Sequence, residues 1–290
     1  AAATMIDPAA PADARVDASA AALRPRAHEE SPSLSSNGEE SATLPLAQAY
    51  VAIPHPDRGG IDGLELRPVP IPTPPTGAVV LKASVWALNF RDVLVAVGAV
   101  PASTAGVELG LGGECAGVVV AVGAGVDTLN VGDQVIAVPL DGMGSHPVVD
   151  ARWVVKRPYD MGVADAVTVT MAYATAWLGL ITLARIRPGE TVLVHSGAGG
   201  VGMAAVRLAL SRGATVYATA STEAKRAALD AMGIAGAFPS RDSAFAAPVL
   251  AATNGRGVDI SFGALSGAAL AAALDILAPF GRCVIRRFRI

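Results

Sequence analysis

The hexapeptide Gly197-Ala-Gly199-Gly200-Val201-Gly202 directly follows the apolar run Thr191 to Ser196 and opens the amphipathic stretch MAAVRLALSRG. No other feature of the chain restricts its fold as strongly. In a strand–turn–helix unit, Gly197 permits the tight turn, Gly199 lets backbone approach a pyrophosphate, and Gly202 allows the helix to pack closely on the strand. The start of the helix, at Gly200 and Val201, offers unpaired N–H groups and a partial positive charge to phosphates. A Gly turn of purely structural use would not need the alternation that surrounds it. TVYATA (Thr215 to Ala220), VDISFG (Val258 to Gly263) and RCVIRR (Arg282 to Arg287) read as further strands. The segments between them, TEAKRAALDAMG, DSAFAAPVLAATNG and GAALAAALDILAPFG, read as helices. Such alternation implies a doubly wound parallel sheet of the Rossmann type, an α/β class.

The texture upstream is different. Residues 1 to 49 contain no Phe, Tyr or Trp and are rich in Ala, Pro and Ser, so they read as a disordered linker. From Tyr50, short β-type runs follow one another between Pro and Gly: LELRPVPIPTPP, AVVLKASVWAL, GVVVAVGAGV, DQVIAVPL and WVVKRP. They predict a β-rich, barrel-like domain over residues 50 to 170, ahead of the nucleotide-binding domain over 171 to 290.

Composition removes several functions. The 22 basic and 25 acidic side chains leave no broad positive surface for nucleic acid. Two cysteines, Cys115 and Cys283, make neither a disulfide framework nor a four-thiolate metal site, which points to a reducing, cytoplasmic setting. The uncharged stretch Ala166 to Ala184 carries four threonines and a glycine, so it reads as a buried helix and not a membrane span. His28, His55, His146 and His195 are scattered singly and read as surface or packing residues.

The choice of dinucleotide falls at the end of the second strand of the parallel sheet, where NAD sites place an acid on the ribose 2′-OH. Here the chain reads Ala220-Ser221-Thr-Glu223-Ala-Lys225-Arg226. Ser221 can donate to a 2′-phosphate and Lys225 can neutralise it, which favours NADPH. Glu223 argues the other way, and Arg226 reads equally well as a solvated helix face.

A β-rich domain joined to this nucleotide fold resembles the medium-chain dehydrogenase/reductase superfamily, with a GroES-like substrate domain. Zinc members carry a His before the Glu of Gly112-Gly113-Glu114-Cys115, and a cysteine cluster elsewhere. With Gly113 in that place and no cysteine pair, the chain reads as zinc-free. LNFRDVLVAVG (Leu88 to Gly98), LGGECAGVVVAVGAGV, VLVHSGAGGVGMAAV, SRDSAF and GRGVDISFGALSG more closely resemble the enoylreductase domain of type I polyketide and fatty acid synthases, fungal highly reducing ones above all.

The resemblance implies NADPH-dependent reduction of an α,β-unsaturated thioester, presented by an acyl carrier domain among the other domains of a synthase, with a homodimer possible. It places Asn89, Arg91 and Asp92 on a loop lining the cleft, Thr175 beside the nicotinamide, Val100 in the substrate pocket, and Lys225 near a proposed proton donor. For Arg91 and Asp92 a bracing salt bridge and a direct role are both open.

Two departures stand out. Ala264 replaces a polar residue after the fourth strand, and Arg286-Arg287-Phe288-Arg289-Ile290 replaces a strand followed by glycine. They suggest a chain truncated at its C-terminus, with the sixth strand of the sheet missing and both domains incomplete. A non-catalytic remnant and a free-standing quinone or enone reductase are the alternatives.

Overall fold

In the computed structural model the described residues are 49–54, 61–99, 103–104, 107–108, 110–139, 142–241 and 243–286. The linker up to residue 48, His28, His55, Val100 and residues 287–290 lie outside them. Ala49, assigned to the linker from sequence, instead begins the first strand.

The Pro- and Gly-punctuated first half forms short strands because each alternates one buried face with turn residues. A hairpin of β1 (Ala49–Pro54) and β2 (Leu64–Val69) comes first. It is followed by β3 (Ala78–Ala87), helix α1 (Phe90–Ala96), and a ribbon of β4 (Ser103–Thr104) and β5 (Val107–Glu108). Then come β6 (Glu114–Val122), β7 (Gln134–Ala137), β8 (Val148–Asp150) and β9 (Val154–Lys156). The main sheet is antiparallel in the order β8-β3-β6-β7-β9. Val79, Leu81, Cys115, Val119 and Val135 fill its interior, each fully buried. Burying a side chain of this size contributes about 1.5–3 kcal/mol.

The uncharged segment after β9 is not one buried helix. It breaks into α2 (Val163–Val167), α3 (Thr170–Trp177) and a π-helical stretch at Leu178–Leu183. Trp177, Leu178 and Leu183 are about half exposed, so only one side of the segment reaches the core. Among the described residues no helix is long and apolar enough to cross a membrane.

The remainder is the expected alternation: β10 (Thr191–Val194), α4 (Gly200–Ser211), β11 (Thr215–Ala220), α5 (Glu223–Asp230), β12 (Gly236–Pro239), α6 (Ala246–Ala252), β13 (Val258–Gly263), α7 (Gly267–Asp275) and β14 (Leu277–Ile285). All five strands are parallel in the order β12-β11-β10-β13-β14. Two sequence readings need correction. β12 was not anticipated, because AGAFP has too few β-branched residues to read as a strand. LAPFG, read as the end of a helix, belongs to β14, since Pro279 cannot extend a helix and the chain bulges there, with Phe280 at φ 63°. Arg282 then fastens β14. Its guanidinium donates to both carboxylate oxygens of Glu190 (2.9 and 2.7 Å) and to the Ala184 carbonyl (2.9 Å).

His195 continues β10 by one residue, its N–H donating to the Phe262 carbonyl at 2.8 Å. The ring is 4% exposed, meets Phe245 edge-on, and has Nε2 3.1 Å from Ser261 Oγ. Burial pushes its pKa down to about 4. In the unfolded chain the same imidazole takes up a proton near pH 6.5, so folding disfavours the protonated form. Its contribution to stability is complete above pH 6.5 and is lost as pH falls toward 4. Comparing wild type with His195→Gln by chemical denaturation, wild type should lose about 2 kcal/mol more between pH 7 and pH 4.5. Parallel pH dependences would remove His195 as the cause.

Candidate active site

Between β10 and β13 the strand order reverses, and in an open parallel sheet a ligand binds in the crevice beyond the strand ends at that point. The Gly-rich turn closes this crevice. The chain leaves β10 through Ser196, at φ 52°, whose N–H is held by Thr219 Oγ1 at 3.1 Å; Gly197 N–H donates to the Thr219 carbonyl at 2.8 Å. The left-handed residue is thus Ser196, and the turn does not need Gly197 for its dihedral. Gly197 is required by packing: a Cβ there would lie 2.8 Å from Ala218 Cβ and 3.3 Å from the Leu229 methyls. A Cβ on Gly202 would collide with the Ser196 carbonyl and sit 2.7 Å from Gly197 Cα. Gly202 therefore lets the helix start against its own turn.

Two cavities share Ser196 and Gly199 in their walls. The first, about 140 Å³, lies at the crevice between Gly199–Gly202, Gly263, Ala264 and Arg286. The second, about 220 Å³, lies at the end of β11 against Ala220, Ser221, Lys225 and Ser240. A Cβ on Gly200 would meet nothing within 4 Å, and one on Gly199 only the Ser196 carbonyl at 3.3 Å. The space in front of the first turn of α4 is open, and the residues present fit a dinucleotide with its pyrophosphate on that turn.

Thr222 caps α5 by accepting from Lys225 N–H at 3.3 Å, which fixes the turn that carries Lys225 to the second cavity. Arg226 donates to the Ala220 carbonyl at 3.3 Å, a brace for the end of β11. Lys225 lines this second cavity with Ser221 and is not among the contacts that surround Asn89. Sequence reasoning missed Ser240 and gave no site role to Arg286; His195, read as a surface or packing residue, is a packed residue that also lines the crevice. Ser240 was hidden by the unrecognised β12, and Arg286 was noted only as a departure, although it lines the crevice.

The residues expected on the substrate side are tied together by hydrogen bonds. Asn89 is the last residue of the loop before α1, in extended backbone, whereas Arg91 and Asp92 lie in the first turn of α1 and not on the loop as expected. Asp92, 3% exposed, accepts from Asn89 N–H (2.7 Å) and Gly112 N–H (2.9 Å). Arg91 donates to the carbonyls of Gly110 (3.2 Å) and Gly112 (3.1 Å) and lies 3.6 Å from Asp92. These contacts make both residues braces between α1 and the turn before β6. Asn89 Nδ2 donates to Glu114 Oε1 at 3.1 Å. On α3, the Thr175 hydroxyl donates to the Met171 carbonyl at 2.7 Å.

A parallel sheet with a Gly-turn cradle, joined to a β domain that carries polar groups toward it, defines an oxidoreductase of the nicotinamide-dependent kind. Residues 75–158 match the alcohol dehydrogenase GroES-like domain, and residues 200–286 match the domain described as zinc-binding dehydrogenase. The phthioceranic/hydroxyphthioceranic acid synthase of Mycobacterium tuberculosis is 44% identical over 227 residues, 78% of this chain and 11% of that protein. The reducing polyketide synthase FUB1 of Gibberella fujikuroi is 42% identical over 233 residues, 79% of this chain and 9% of that protein. The chain thus spans about a tenth of the curated relatives it matches. Similar identities to mycobacterial and fungal synthases mean that the fungal branch is not singled out. Among solved structures, CurK enoyl reductase superposes with a TM-score of 0.76 at 37% identity, over 81% of this chain and 73% of that one. The CurF enoyl reductase cyclopropanase gives 0.77 at 34%, over 84% and 76%. The chain belongs to the medium-chain dehydrogenase/reductase superfamily, as an enoylreductase domain of the polyketide synthase type.

Gly199 has φ −86°, a value open to any side chain, whereas Gly202 faces backbone. Gly199→Asp should fold, with a melting temperature within a few degrees of wild type, and should lose dinucleotide affinity by more than about 100-fold, because a like charge enters the phosphate space. Gly202→Ala should instead lower stability by roughly 1–3 kcal/mol through overpacking. Cofactor fluorescence titration with thermal unfolding separates the two; equal behaviour of the two variants would contradict this division of roles.

Proposed function

We propose that this domain uses NADPH to reduce the carbon–carbon double bond of an α,β-unsaturated acyl thioester, presented by an acyl carrier domain of the same synthase. The observation that supports the reading is that the two cavities have Ser196 and Gly199 in common in their walls, so one extended cofactor would run from the end of β11 to the crevice between β10 and β13. Bound there, a reduced nicotinamide would supply hydride to the β-carbon. The protein's share is to hold the phosphates on the first turn of α4, to exclude water from the crevice, and to set α1 and α3 against the acyl group. Asn89 and Thr175 are the polar groups proposed nearest the reacting atoms, while Arg91 and Asp92 act through the α1 start that they brace. The working division is a substrate domain over 50–170 and a nucleotide domain over 171–290, with Val100 proposed for the substrate pocket.

NADPH is favoured over NADH by what lines the second cavity. Among the described residues Ser221, Lys225 and Ser240 line it, and Glu223 does not. A zinc-free reaction is supported by donor chemistry. A Cβ at Gly113 would point to Asn89 and Arg91, 3.6 and 3.9 Å away, and the Cys115 thiol, in the β core, is pushed up to about 12 by burial. The described residues at this place do not fit a zinc ion.

The direct test is turnover of a crotonyl thioester against a simple quinone, with NADPH supplied to the purified domain. Thioester reduction with little quinone reduction is expected; the reverse preference would favour a quinone reductase. Lys225→Ala should weaken NADPH about ten- to a hundred-fold, the value of one charge-assisted bond to the 2′-phosphate, and leave NADH within twofold. Equal weakening of both cofactors would remove the support for NADPH.

A further inference from the structure

The Glu114 carboxylate, 3% exposed at the first residue of β6, has one oxygen on each half of the protein. Oε1 accepts from Asn89 Nδ2 at 3.1 Å, at the start of α1. Oε2 accepts from Met171 N–H at 2.8 Å, in the first turn of α3. Val169, which precedes α3, offers no side-chain cap, so Glu114 satisfies one of the orphan N–H groups of that helix from another domain. From Met171 the chain of contacts continues: its carbonyl accepts from the Thr175 hydroxyl. One carboxylate thus links Asn89, on the substrate side, to Thr175, proposed for the nicotinamide side.

We propose that Glu114 is a positioning residue for the reduction, registering α1 against α3 so that substrate and nicotinamide meet at reacting distance. The inference rests on the enoyl-thioester reading of the site. Misplacing a reactant by about 1 Å can slow a reaction by about 100-fold, so a single link of this kind has kinetic weight. Only the ionised carboxylate has both oxygens fully available as acceptors; a protonated carboxyl keeps one strong acceptor and spends the other oxygen on its own O–H. Burial raises the pKa of Glu114 and the charge of Asp92 adds to the rise, while the bonds from Met171 and Asn89 oppose it. The charged groups around it are Arg91 and Asp92 on α1, with Lys82 on β3 and exposed Asp165 on α2; β7 and α3 carry none. Asp92 is the neighbour that acts on it, and Lys82 is paired in register with Val118, four residues along β6. The rate should therefore fall on the acid side as Glu114 takes up a proton.

The test measures kcat for crotonyl thioester and Kd for NADPH across pH, per mole of folded protein, for wild type, Glu114→Gln and Glu114→Asp. Glu114→Gln offers one oxygen acceptor in place of two. It should lower kcat about tenfold and keep Kd within twofold. It should also abolish the acid limb, holding its low rate as pH falls. Glu114→Asp, which keeps both oxygens, should recover part of kcat and restore the limb. Four results would overturn the proposal: kcat within twofold of wild type in Glu114→Gln, an acid limb that persists there, joint loss of kcat and cofactor affinity, or a Glu114→Gln chain that does not fold. If wild type turns over no enoyl thioester, it is the proposed function that fails and not this link.

Discussion

The approach of α4 to its own leading turn is the constraint on which the site depends. Gly202 sits so close to the Ser196 carbonyl and to Gly197 that no side chain fits between them. That contact brings the N-terminus of α4 up against the end of β10, where the sheet reverses its order. The left-handed Ser196, tied to Thr219 on β11, aims the turn. Two cavities then share Ser196 and Gly199, one at the end of β11 and one at the crevice over β13. Remove the close approach and α4 must lift from the sheet, taking the oriented N–H groups with it.

The second constraint is the junction between the halves. A nucleotide sheet alone holds a cofactor, but reduction needs an acyl group fixed beside it. In the proposed reading the antiparallel sheet supplies that side through α1, whose start is braced by Arg91 and Asp92 against Gly110 and Gly112. Glu114 joins this start to α3 by hydrogen bonds on both of its oxygens. A buried carboxylate with neither partner would be costly, so its two donors stabilise each other's placement as well as its own charge.

Much of this was legible in the sequence because the cradle is local. Six consecutive residues after an apolar strand carry the turn, and three of the four strands named for the parallel sheet appear close to where the apolar runs placed them. What depended on tertiary contact was not legible. Gly197 was assigned to the turn's dihedral, because nothing in the sequence shows that Ala218 and Leu229 crowd it. β12 escaped because a strand of Gly, Ala, Phe and Pro has weak local preference and is held by pairing with β11. The segment from Ala166 to Ala184 read as one buried helix because composition shows apolarity and not the break into α2, α3 and a π-helical stretch. Glu114 carried no signal beyond its place in the motif, since both of its partners are distant in sequence.

Hydride transfer across the junction is most directly followed with NADPH carrying deuterium at the transferable C4 position and an unlabelled crotonyl thioester in ordinary water. Reduction through this site should give a butyryl thioester with one deuterium at the β-carbon and none at the α-carbon, whose added hydrogen comes from solvent. Deuterium at the α-carbon, or a reduced product without label at the β-carbon, would contradict the assigned chemistry.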